Sequence, residues 1–258
     1  MPDSETAKGP LPSAAADYST RFSGIGRLYS LAGMERLRQA HVAIIGVGGV
    51  GCWAAEALAR SGIGRLTLVD MDDVCMSNTN RQLHALDEKV GQMKIDVMAE
   101  RIRSINPDCH LRLEHRFYTE NTSAELLAAN YDYVFDAIDS VSHNAHLIAA
   151  CCDRNIPIMT CGGAGGRRDP LQIQVKDLAK TREDSLLQQV RKRLRQKHGF
   201  PRSPKTKFRV PCVYSEEPVY FPQTDGSVCH SRDESMGGLR LNCDSGFGTA
   251  TFIVGTFA

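Results

Sequence analysis

The residues most suited to chemistry are a glycine-rich loop and an acidic residue downstream of it. The loop directly follows an apolar run, and its glycines allow a tight turn in which phosphate oxygens approach backbone N–H groups. Asp70 ends the next apolar run, where a carboxylate can accept both hydroxyls of a ribose. The combination predicts a nucleotide site but leaves the nucleotide open. The loop residues expected to contact it are Gly46, Gly48, Gly49, Val50 and Gly51.

Polar and cationic residues further along the chain help to identify the nucleotide. Asn78, Arg81 and Gln82 come shortly after Asp70, and Lys94 lies on the next predicted helix. A hydride-transfer site has no need for such a density of cations. Displacement at the α-phosphate of ATP, in contrast, builds negative charge on the departing pyrophosphate, which Arg81 and Lys94 can neutralise. The pattern therefore favours ATP over NAD.

A later carboxylate completes the predicted site. Asp139 ends another apolar run, at the edge where parallel sheets present ligands, and is the predicted ligand of Mg²⁺. Taken singly, these residues have structural alternatives: Arg81 as a surface ion-pair partner, Lys94 on a solvated helix face, and Asp139 as a helix cap. Their coincidence with the glycine loop favours catalysis.

Alternating strands and helices must position these residues. This order predicts an α/β, Rossmann-like fold with a mostly parallel sheet and helices on both faces. The predicted strands are His41–Gly46, Arg65–Asp70, Leu111–Arg116, Tyr131–Asp139 and Ile156–Cys161. The predicted helices are Ser23–Gln39, Gly51–Arg60, Gly91–Ile105 and His143–Asn155. The first of these helices carries an apolar stripe formed by Leu28, Leu31, Met34 and Leu37.

Composition divides the 258 residues into three parts. Residues 1–20 are rich in Ala, Ser, Pro and Asp and predict a disordered tail. Residues 21–170 hold the predicted nucleotide-binding domain. Residues 171–258 form a C-terminal extension with additional strands, at Leu171–Leu178 and Tyr214–Phe221, on either side of a polar helix, Arg182–Lys197.

The cysteines and the apolar end of the chain bear on its location. Nine cysteines are irregularly spaced without a Cys-x-x-Cys pair, and the first 20 residues lack an apolar signal region. These features predict a reducing, cytoplasmic compartment and no zinc knuckle. The apolar stretch 250–258 is too short to span a bilayer and favours a buried final element over a membrane anchor. Its abrupt stop leaves open a longer natural chain that contacts a membrane.

A basic segment, residues 191–209, contains nine Lys or Arg residues and no Asp or Glu. Phe200 and Phe208 interleave with the charges, a pattern that suits phosphate contacts and stacking on unpaired bases. A solvated helix followed by a mobile loop explains the segment equally well on sequence alone. The residues considered for nucleic-acid contact are Arg191, Arg193, Arg195, Lys205 and Lys207.

The nucleotide motifs together resemble the ThiF/MoeB/HesA superfamily of ubiquitin-activating-enzyme-like adenylyltransferases, over residues 21–166. Within it, the chain is most similar to the tRNA threonylcarbamoyladenosine dehydratase family. That closer resemblance rests on the stretches Arg21–Phe22, Trp53–Arg60, Asp70–Cys75, Asn78–Gln82, Met98–Arg103, Asp136–Val141, Gly162–Gly166, Asp177–Thr181 and Ser245–Gly248.

The resemblance implies an activity and roles for residues. It implies that ATP adenylates the threonyl carboxylate of threonylcarbamoyladenosine in tRNA, and that ring closure by the neighbouring carbamoyl group then expels AMP. The glycine loop would hold phosphates, Asp70 would take the ribose, and Lys94 would contact phosphate. Asp139 would coordinate Mg²⁺. Further residues implied at the nucleotide are Asp72, Asn78, Arg81 and Gln82.

The resemblance also implies partners. The superfamily supplies an arginine from a partner subunit, so either Arg21 or Arg27 is expected to act in trans within a homodimer. Cys229 lies where the subfamily has a cysteine, and either a covalent thioester role or a structural or incidental thiol is open. A sulfur acceptor of a cysteine-desulfurase system is left open as a partner. A monovalent cation near the turn Gly162–Gly166 is also left open.

Three alternative functions remain to be weighed. An activator of the C-terminus of a ubiquitin-like or sulfur-carrier protein is disfavoured by the basic segment and by the missing zinc motifs. An NAD-dependent oxidoreductase is disfavoured by Arg81, Lys94 and Asp139 together. A non-enzymatic scaffold is disfavoured because the whole triphosphate set is present.

Overall fold

A computed structural model describes residues 14–203, 205–231 and 248–258. One seven-stranded sheet has the order β3-β2-β1-β4-β5-β7-β6, and all neighbouring strands are parallel except the antiparallel pair β6–β7. The predicted mostly parallel sheet is therefore confirmed. Its strands are β1 His41–Ile45, β2 Arg65–Val69, β3 His110–Glu114, β4 Tyr133–Asp136, β5 Ile158–Cys161, β6 Ile173–Asp177 and β7 Pro211–Ser215. A small hairpin adds β8 Phe221–Pro222 and β9 Val228–Cys229.

Helices cover both faces of the sheet. Successive strand residues point to opposite sides, and here both sets of side chains are apolar and buried. In β1, Ala43 and Ile45 belong to a core that includes residues of α6 and α7, whereas Val42 and Ile44 belong to a core with residues of α3, α4 and α8. The helices are α1 Ala14–Arg21, α2 Ser23–Gln39, α3 Gly51–Arg60, α4 Lys94–Ile105, α5 Glu120–Leu126, α6 Val141–Asp153, α7 Ser185–Lys197 and α8 Thr251–Phe257.

Strand register brings the predicted site residues to one edge. Ile45 of β1 pairs with Val69 of β2 on one side and with Asp136 of β4 on the other. The glycine loop after β1 therefore lies between the segments that follow β2 and β4. After β3 the chain crosses to the other half of the sheet and places β4 beside β1. The boundary between β1 and β4 is the switch point where open α/β sheets bind ligands.

The apolar end of the chain is a buried helix, as the sequence favoured. In α8, Ile253, Val254 and Phe257 are buried, and α8 packs against α3. No helix in the described part of the chain is long and apolar enough to cross a membrane.

The predicted disordered tail is wrong for residues 14–20, which belong to α1. Tyr18 is 2% exposed, and its hydroxyl donates a hydrogen bond to the carbonyl oxygen of Gly62 at 2.6 Å. Tyr18 also packs against Phe22, so two aromatic residues anchor the helix to the end of α3. Residues 1–13 of the predicted tail and residues 245–247 of the family motifs lie outside the described residues.

Helix α2 departs from the predicted single apolar stripe. Ser30 has a φ of 71° and a ψ of 163°, which breaks the helix into two parts. Met34 is buried, but Leu28 and Leu31 are 69% and 74% exposed. The periodic pattern was therefore read correctly as helical, while half of its stripe faces away from this chain's own core.

Two other elements differ from the sequence predictions. Helix α5 was not predicted because its polar residues show no apolar period; Thr119 caps it by accepting a hydrogen bond from the backbone N–H of Thr122. The last predicted strand lies earlier, at Pro211–Ser215. It ends before Glu217, whose carboxylate accepts hydrogen bonds from the backbone N–H groups of Arg168 and Asp169 at 2.8 and 2.9 Å.

Candidate active site

The glycine loop packs so closely that two of its positions exclude a side chain. Gly46 has a φ of +90°, and a Cβ atom there would lie 2.9 Å from the carbonyl oxygen of Ala137. A Cβ atom at Gly51 would lie 1.9 Å from the carbonyl oxygen of Gly46, so helix α3 can start only at a glycine. The close approach presents the backbone at the start of α3 to the cleft, which suits a phosphate.

Asp70 organises this loop from the end of β2. Its Oδ2 accepts a hydrogen bond from the backbone N–H of Val47 at 2.7 Å, and its Oδ1 accepts one from Asp72 at 2.9 Å. The carboxylate is 7% exposed and borders the cleft. Each oxygen has a further lone pair, so Asp70 can hold the loop and still accept a ribose hydroxyl.

His84 holds the glycine loop through a buried hydrogen bond and was not identified from the sequence. Its Nε2 lies 2.8 Å from the carbonyl oxygen of Val47, which requires Nε2 to carry the proton. Burial lowers the pKa of His84, so the ring stays neutral near pH 7. A single histidine in a turn gave no sequence signal, because its partner is a backbone atom 37 residues away in the chain.

Lys94 is buried at the start of α4, so its interpretation as a solvated helix residue is wrong. The residue is 3% exposed, and its Nζ lies 2.8 Å from Oδ2 of Asp72. Asp72 is about half exposed and borders the same cleft. A buried ammonium held by a carboxylate at the rim is a fixed positive charge, as phosphate binding requires.

Of the three site residues predicted in the segment 76–82, two face the cleft and one does not. Arg81 and Gln82 border it, and Nη1 of Arg81 donates to the carbonyl oxygen of Ser77 at 2.8 Å. Asn78 does not border the cleft; it is 1% exposed, and its Oδ1 accepts from the backbone N–H of Cys75 at 3.2 Å. Asn78 thus shapes the turn that carries Arg81.

Asp139 stands across the cleft from Asp70 and Asp72, on the segment after β4. The cleft encloses about 540 Å³ and reaches from the ends of β2 and β1 to the loop after β5. Asp139 is exposed to the cleft, and partial desolvation, with the charges of Asp72 and Asp70, raises its pKa. The described residues contain no cluster of three or more metal-ligating side chains. Mg²⁺ needs few protein ligands when phosphate oxygens supply the rest, so Asp139 fits this role.

A buried polar network fixes the segment that carries Asp139. Oδ1 of Asp136 accepts from the backbone N–H of Ile138 at 3.1 Å, and its Oδ2 accepts from the hydroxyl of Thr160 at 2.9 Å. Nδ2 of Asn144 donates to Oγ1 of Thr160 at 3.1 Å. Complete burial raises the pKa of Asp136 to about 7. These residues were missed as positioning residues, because the network joins three separate elements.

The loop after β5 forms the far wall of the cleft. Oδ2 of Asp184 accepts from the backbone N–H of Gly163 at 2.9 Å, and a Cβ atom at Gly162 would lie 2.4 Å from that same oxygen. Arg167 also borders the cleft and is 3% exposed. Neither Arg167 nor Asp184 was identified from the sequence. The monovalent cation near Gly162–Gly166 stays a prediction.

The two arginines predicted to act from a partner subunit do not border this chain's own cleft. Nη1 of Arg21 donates to the carbonyl oxygen of Ile105 at 3.4 Å, at the opposite end of α4 from Lys94. That end lies about 16 Å away along a 12-residue helix. Arg27 is exposed on α2. Neither side chain lines this chain's own cleft, and the role in trans stays a prediction.

The basic segment is only partly available to a nucleic acid. Arg191 is not a free surface cation: its Nη1 donates to Oγ1 of Thr181, and burial lowers its pKa. Phe208 is 6% exposed and packs edge-on against Phe200 with ring centroids 5.0 Å apart. The predicted base stacking is therefore wrong for Phe208. Arg195 covers that ring at 5.1 Å.

Among the other candidate cations of this segment, Arg193 lies beside the main cleft and the two lysines face solvent. Lys205 and Lys207 are exposed. Arg193 lines a small depression with His143, which also borders the main cleft. Cys229 is partly exposed, and its Sγ lies 3.2 Å from the carbonyl oxygen of Ser231.

Comparison with known proteins gives consistent relatives. The sequence profile of the ThiF family matches residues 23–256. Over 237 residues the chain is 51% identical to the tRNA threonylcarbamoyladenosine dehydratase of Escherichia coli (strain K12), covering 92% of this chain and 88% of that protein. The protein of the same name from Haemophilus influenzae is 49% identical over 242 residues, covering 93% and 90%. The crystal structure of E. coli TcdA in complex with ATP has a TM-score of 0.83 at 44% identity, covering 95% of this chain and 92% of that one.

The fold and the cleft define a Rossmann-type α/β nucleotide-binding protein. The chain belongs to the ThiF family. The resemblance found from the sequence motifs is confirmed.

Proposed function

We propose that this chain is an ATP-dependent enzyme that dehydrates threonylcarbamoyladenosine in tRNA. The observation that carries the proposal is the match to dehydratases over 92% of the chain, which extends well beyond the nucleotide motifs. The cleft supports it, because a phosphate loop, a buried ammonium and an exposed carboxylate border one space. The relative that binds ATP shares this fold.

The proposed reaction has two steps. A carboxylate oxygen of the threonyl group attacks the α-phosphorus of ATP, and the bond to the pyrophosphate breaks. The carbamoyl group of the same nucleoside then attacks the acyl carbon, closes a ring and expels AMP. The nucleoside loses the atoms of one water, whose oxygen leaves with AMP and whose protons pass to solvent. Adenylation thus converts a poor leaving group into a good one.

Each residue of the cleft has a proposed role in the first step. The loop residues Gly46–Gly51 bind phosphate through backbone N–H groups, and Asp70 takes the ribose with Asp72 beside it. Lys94 and Arg81 neutralise the charge that develops on the pyrophosphate. Gln82 borders the same space, and Asn78 holds the turn that presents Arg81.

Mg²⁺ is proposed as the second cofactor. Asp139 would bind it, because this carboxylate is exposed to the cleft. The metal would supply charge neutralisation for the phosphates. Lys94 and Arg81 would provide the remaining positive charge at the phosphates.

A homodimer is proposed from the surface of α2. Leu28 and Leu31 are exposed large apolar residues on the same helix as Arg27. Burying such leucines against a second copy would bring an N-terminal arginine to the partner's cleft. This proposal explains why Arg21 and Arg27 lie away from their own cleft.

A cytoplasmic location is proposed from the free cysteines of the described residues. A sulfur acceptor of a cysteine-desulfurase system stays a prediction, as do a thioester role for Cys229 and any contact with a membrane.

One assay tests the main proposal against its alternative. The protein is incubated with ATP and tRNA that carries threonylcarbamoyladenosine, and AMP release and the nucleoside mass are followed. We expect AMP and a mass loss of one water molecule. Turnover only with a carrier protein ending in Gly-Gly would instead establish the alternative, an adenylating activator of a ubiquitin-like or sulfur-carrier protein.

A further inference from the structure

A buried arginine at the far end of the cleft has donors that the fold does not use. Nη2 of Arg167 donates to the carbonyl oxygen of Glu183 at 2.6 Å and lies 4.0 Å from Oδ2 of Asp184. Its Nε and Nη1 atoms are buried and have no hydrogen-bond partner among the described residues. The hydrogen bond to Glu183 uses only one nitrogen of the guanidinium. That contact alone does not explain why a charged side chain with two further donor atoms is buried here.

The nearest carboxylate does not satisfy those donors. Oδ1 of Asp184 caps α7 by accepting from the backbone N–H of Leu187 at 2.9 Å, and its Oδ2 accepts from Gly163. Arginine keeps its charge in proteins. A buried guanidinium with unmatched N–H groups costs free energy, which an added anion would recover.

The position of Arg167 indicates which anion. The strands β2, β1, β4 and β5 are consecutive in the sheet, with Asp70 after β2 and Arg167 in the segment after β5. The ends of β2 and β5 are three strand spacings apart, which is about 14 Å. A nucleotide whose ribose is at Asp70 lies over β2 and β1, so the end at β5 is left for the second substrate.

We propose that Arg167 binds the carboxylate of the second substrate and selects for it. The inference rests on the proposed function and deepens it. One carboxylate oxygen accepts a charge-assisted hydrogen bond from the guanidinium, and the other stays available to attack the α-phosphorus. Arg167 borders this cleft, and because its Nε and Nη1 atoms are buried, the substrate carboxylate reaches them after a local movement of the neighbouring side chains.

A cycle of two ligands and two proteins tests the proposal. Binding to the wild type and to Arg167→Gln is measured for tRNA bearing threonylcarbamoyladenosine and for the same tRNA with the carboxylate replaced by a primary amide. We expect the wild type to favour the carboxylate by roughly tenfold or more and the variant to lose that preference. A merely structural role would weaken both ligands equally, and that result would overturn the inference.

Two further variants serve as controls for the loss of a positive charge and for misfolding. Arg168→Gln removes the neighbouring arginine, which is exposed and stacks on Tyr220 at 3.9 Å outside the cleft, and should keep the full preference. Affinity for ATP and the Tm check that Arg167→Gln is folded. If it does not fold, Arg167→Met, which keeps an unbranched side chain but removes the charge, replaces it, and a retained full preference in that variant would overturn the inference.

The same experiment separates this inference from the proposed function. If the wild type converts the modified tRNA with ATP while both ligands lose affinity equally in the variant, only the role of Arg167 is overturned. If the wild type neither binds nor converts the modified tRNA, the proposed function fails and the inference fails with it.

Discussion

Single charges in the cleft are placed by contacts that the linear sequence does not contain. Lys94 is held by Asp72, and Asp139 is held by the network of Asp136 and Thr160. The first pair fixes a cation, and the second fixes the backbone that carries an anion. The site therefore depends on residues that do not themselves touch a substrate.

Asp139→Asn should abolish most adenylation while ATP still binds. The substitution keeps the size of the side chain and removes the charge proposed to bind Mg²⁺. We expect a loss of roughly 10²–10³-fold in kcat, with a much smaller change in the Kd for ATP. Single-turnover kinetics and calorimetric titration with ATP measure the two quantities. Asp73→Asn, an exposed residue outside the cleft, is the control. A normal rate for Asp139→Asn would contradict the assigned role.

Asp136 should make stability depend on pH. Burial raises its pKa from 3.8 to about 7 in the folded state, so the unfolded chain ionises first as the pH rises. The folded state therefore loses relative stability between about pH 4 and pH 7. We expect Asp136→Asn, which mimics the protonated carboxyl, to lack this part of the decline. Tm values at pH 5 and pH 8 for both proteins measure it, and parallel declines would refute the assignment.

At the scale of elements, the turn from β1 to α3 combines two requirements on glycine. Gly51 must be glycine because α3 starts against the backbone of Gly46, whereas Gly48 has space around it. Packing requires the first glycine, whereas the second is proposed to let a ligand approach. In the sequence, Gly48 and Gly51 belong to a single motif.

Substitution with alanine should separate these two requirements. Gly51→Ala is expected to destabilise the fold by about 1–3 kcal/mol or more, because its Cβ atom meets a carbonyl oxygen. Gly48→Ala should keep the Tm and weaken ATP binding, because its methyl group faces the cleft. Thermal unfolding and ATP titration distinguish the outcomes. Equal loss of stability in both variants would show that the glycines share one role.

Elements also explain which predictions failed. Helix α1 was taken for a disordered tail because its composition is polar and small. One residue, Tyr18, anchors it through a buried hydroxyl and ring contacts. Helix α5 has a cap but no apolar stripe. Periodicity detects elements that bury a face, and it misses those attached by one or two side chains.

At the scale of the whole molecule, the exposed part of α2 is predicted to bind a second copy. The double variant Leu28→Glu, Leu31→Glu should be monomeric, because two charges cannot be buried in an apolar interface. Light scattering after size-exclusion chromatography measures the mass. Leu171→Glu, at a leucine that is 89% exposed elsewhere, should leave the mass unchanged. A dimer that survives the double variant would contradict this interface.

Mixed dimers test the arginine proposed to act in trans. Subunits with Arg21→Ala and Arg27→Ala are combined with Asp139→Ala subunits, each inactive alone. One cleft of each mixed dimer should then contain an intact set, so partial activity is expected. Mixed dimers that remain inactive would show that neither arginine acts across the interface.

The basic segment should contribute to tRNA affinity through the half-buried Arg193 and through Lys205 and Lys207, which face solvent. Reversing Arg193 together with Lys205 and Lys207 to Glu is expected to weaken tRNA binding and to flatten its salt dependence, with ATP binding unchanged. Arg103→Glu, an exposed charge on α4, is the control. Filter binding at several salt concentrations provides the measurement, and an unaltered salt slope would refute the role.

The sequence by itself determined the alternation of strands and helices around the cleft, the nucleotide loop with Asp70, and the family. These follow from local periodicity and from motifs whose members lie close together in the chain. Only the tertiary structure decided that Asn78 faces inward, that Arg191 is held by Thr181, and that Arg167 borders the cleft with unused donors. The glycine loop could therefore be predicted from the spacing of its residues. Burial and the pairing of charges depend on contacts between distant segments, which spacing along the chain does not encode.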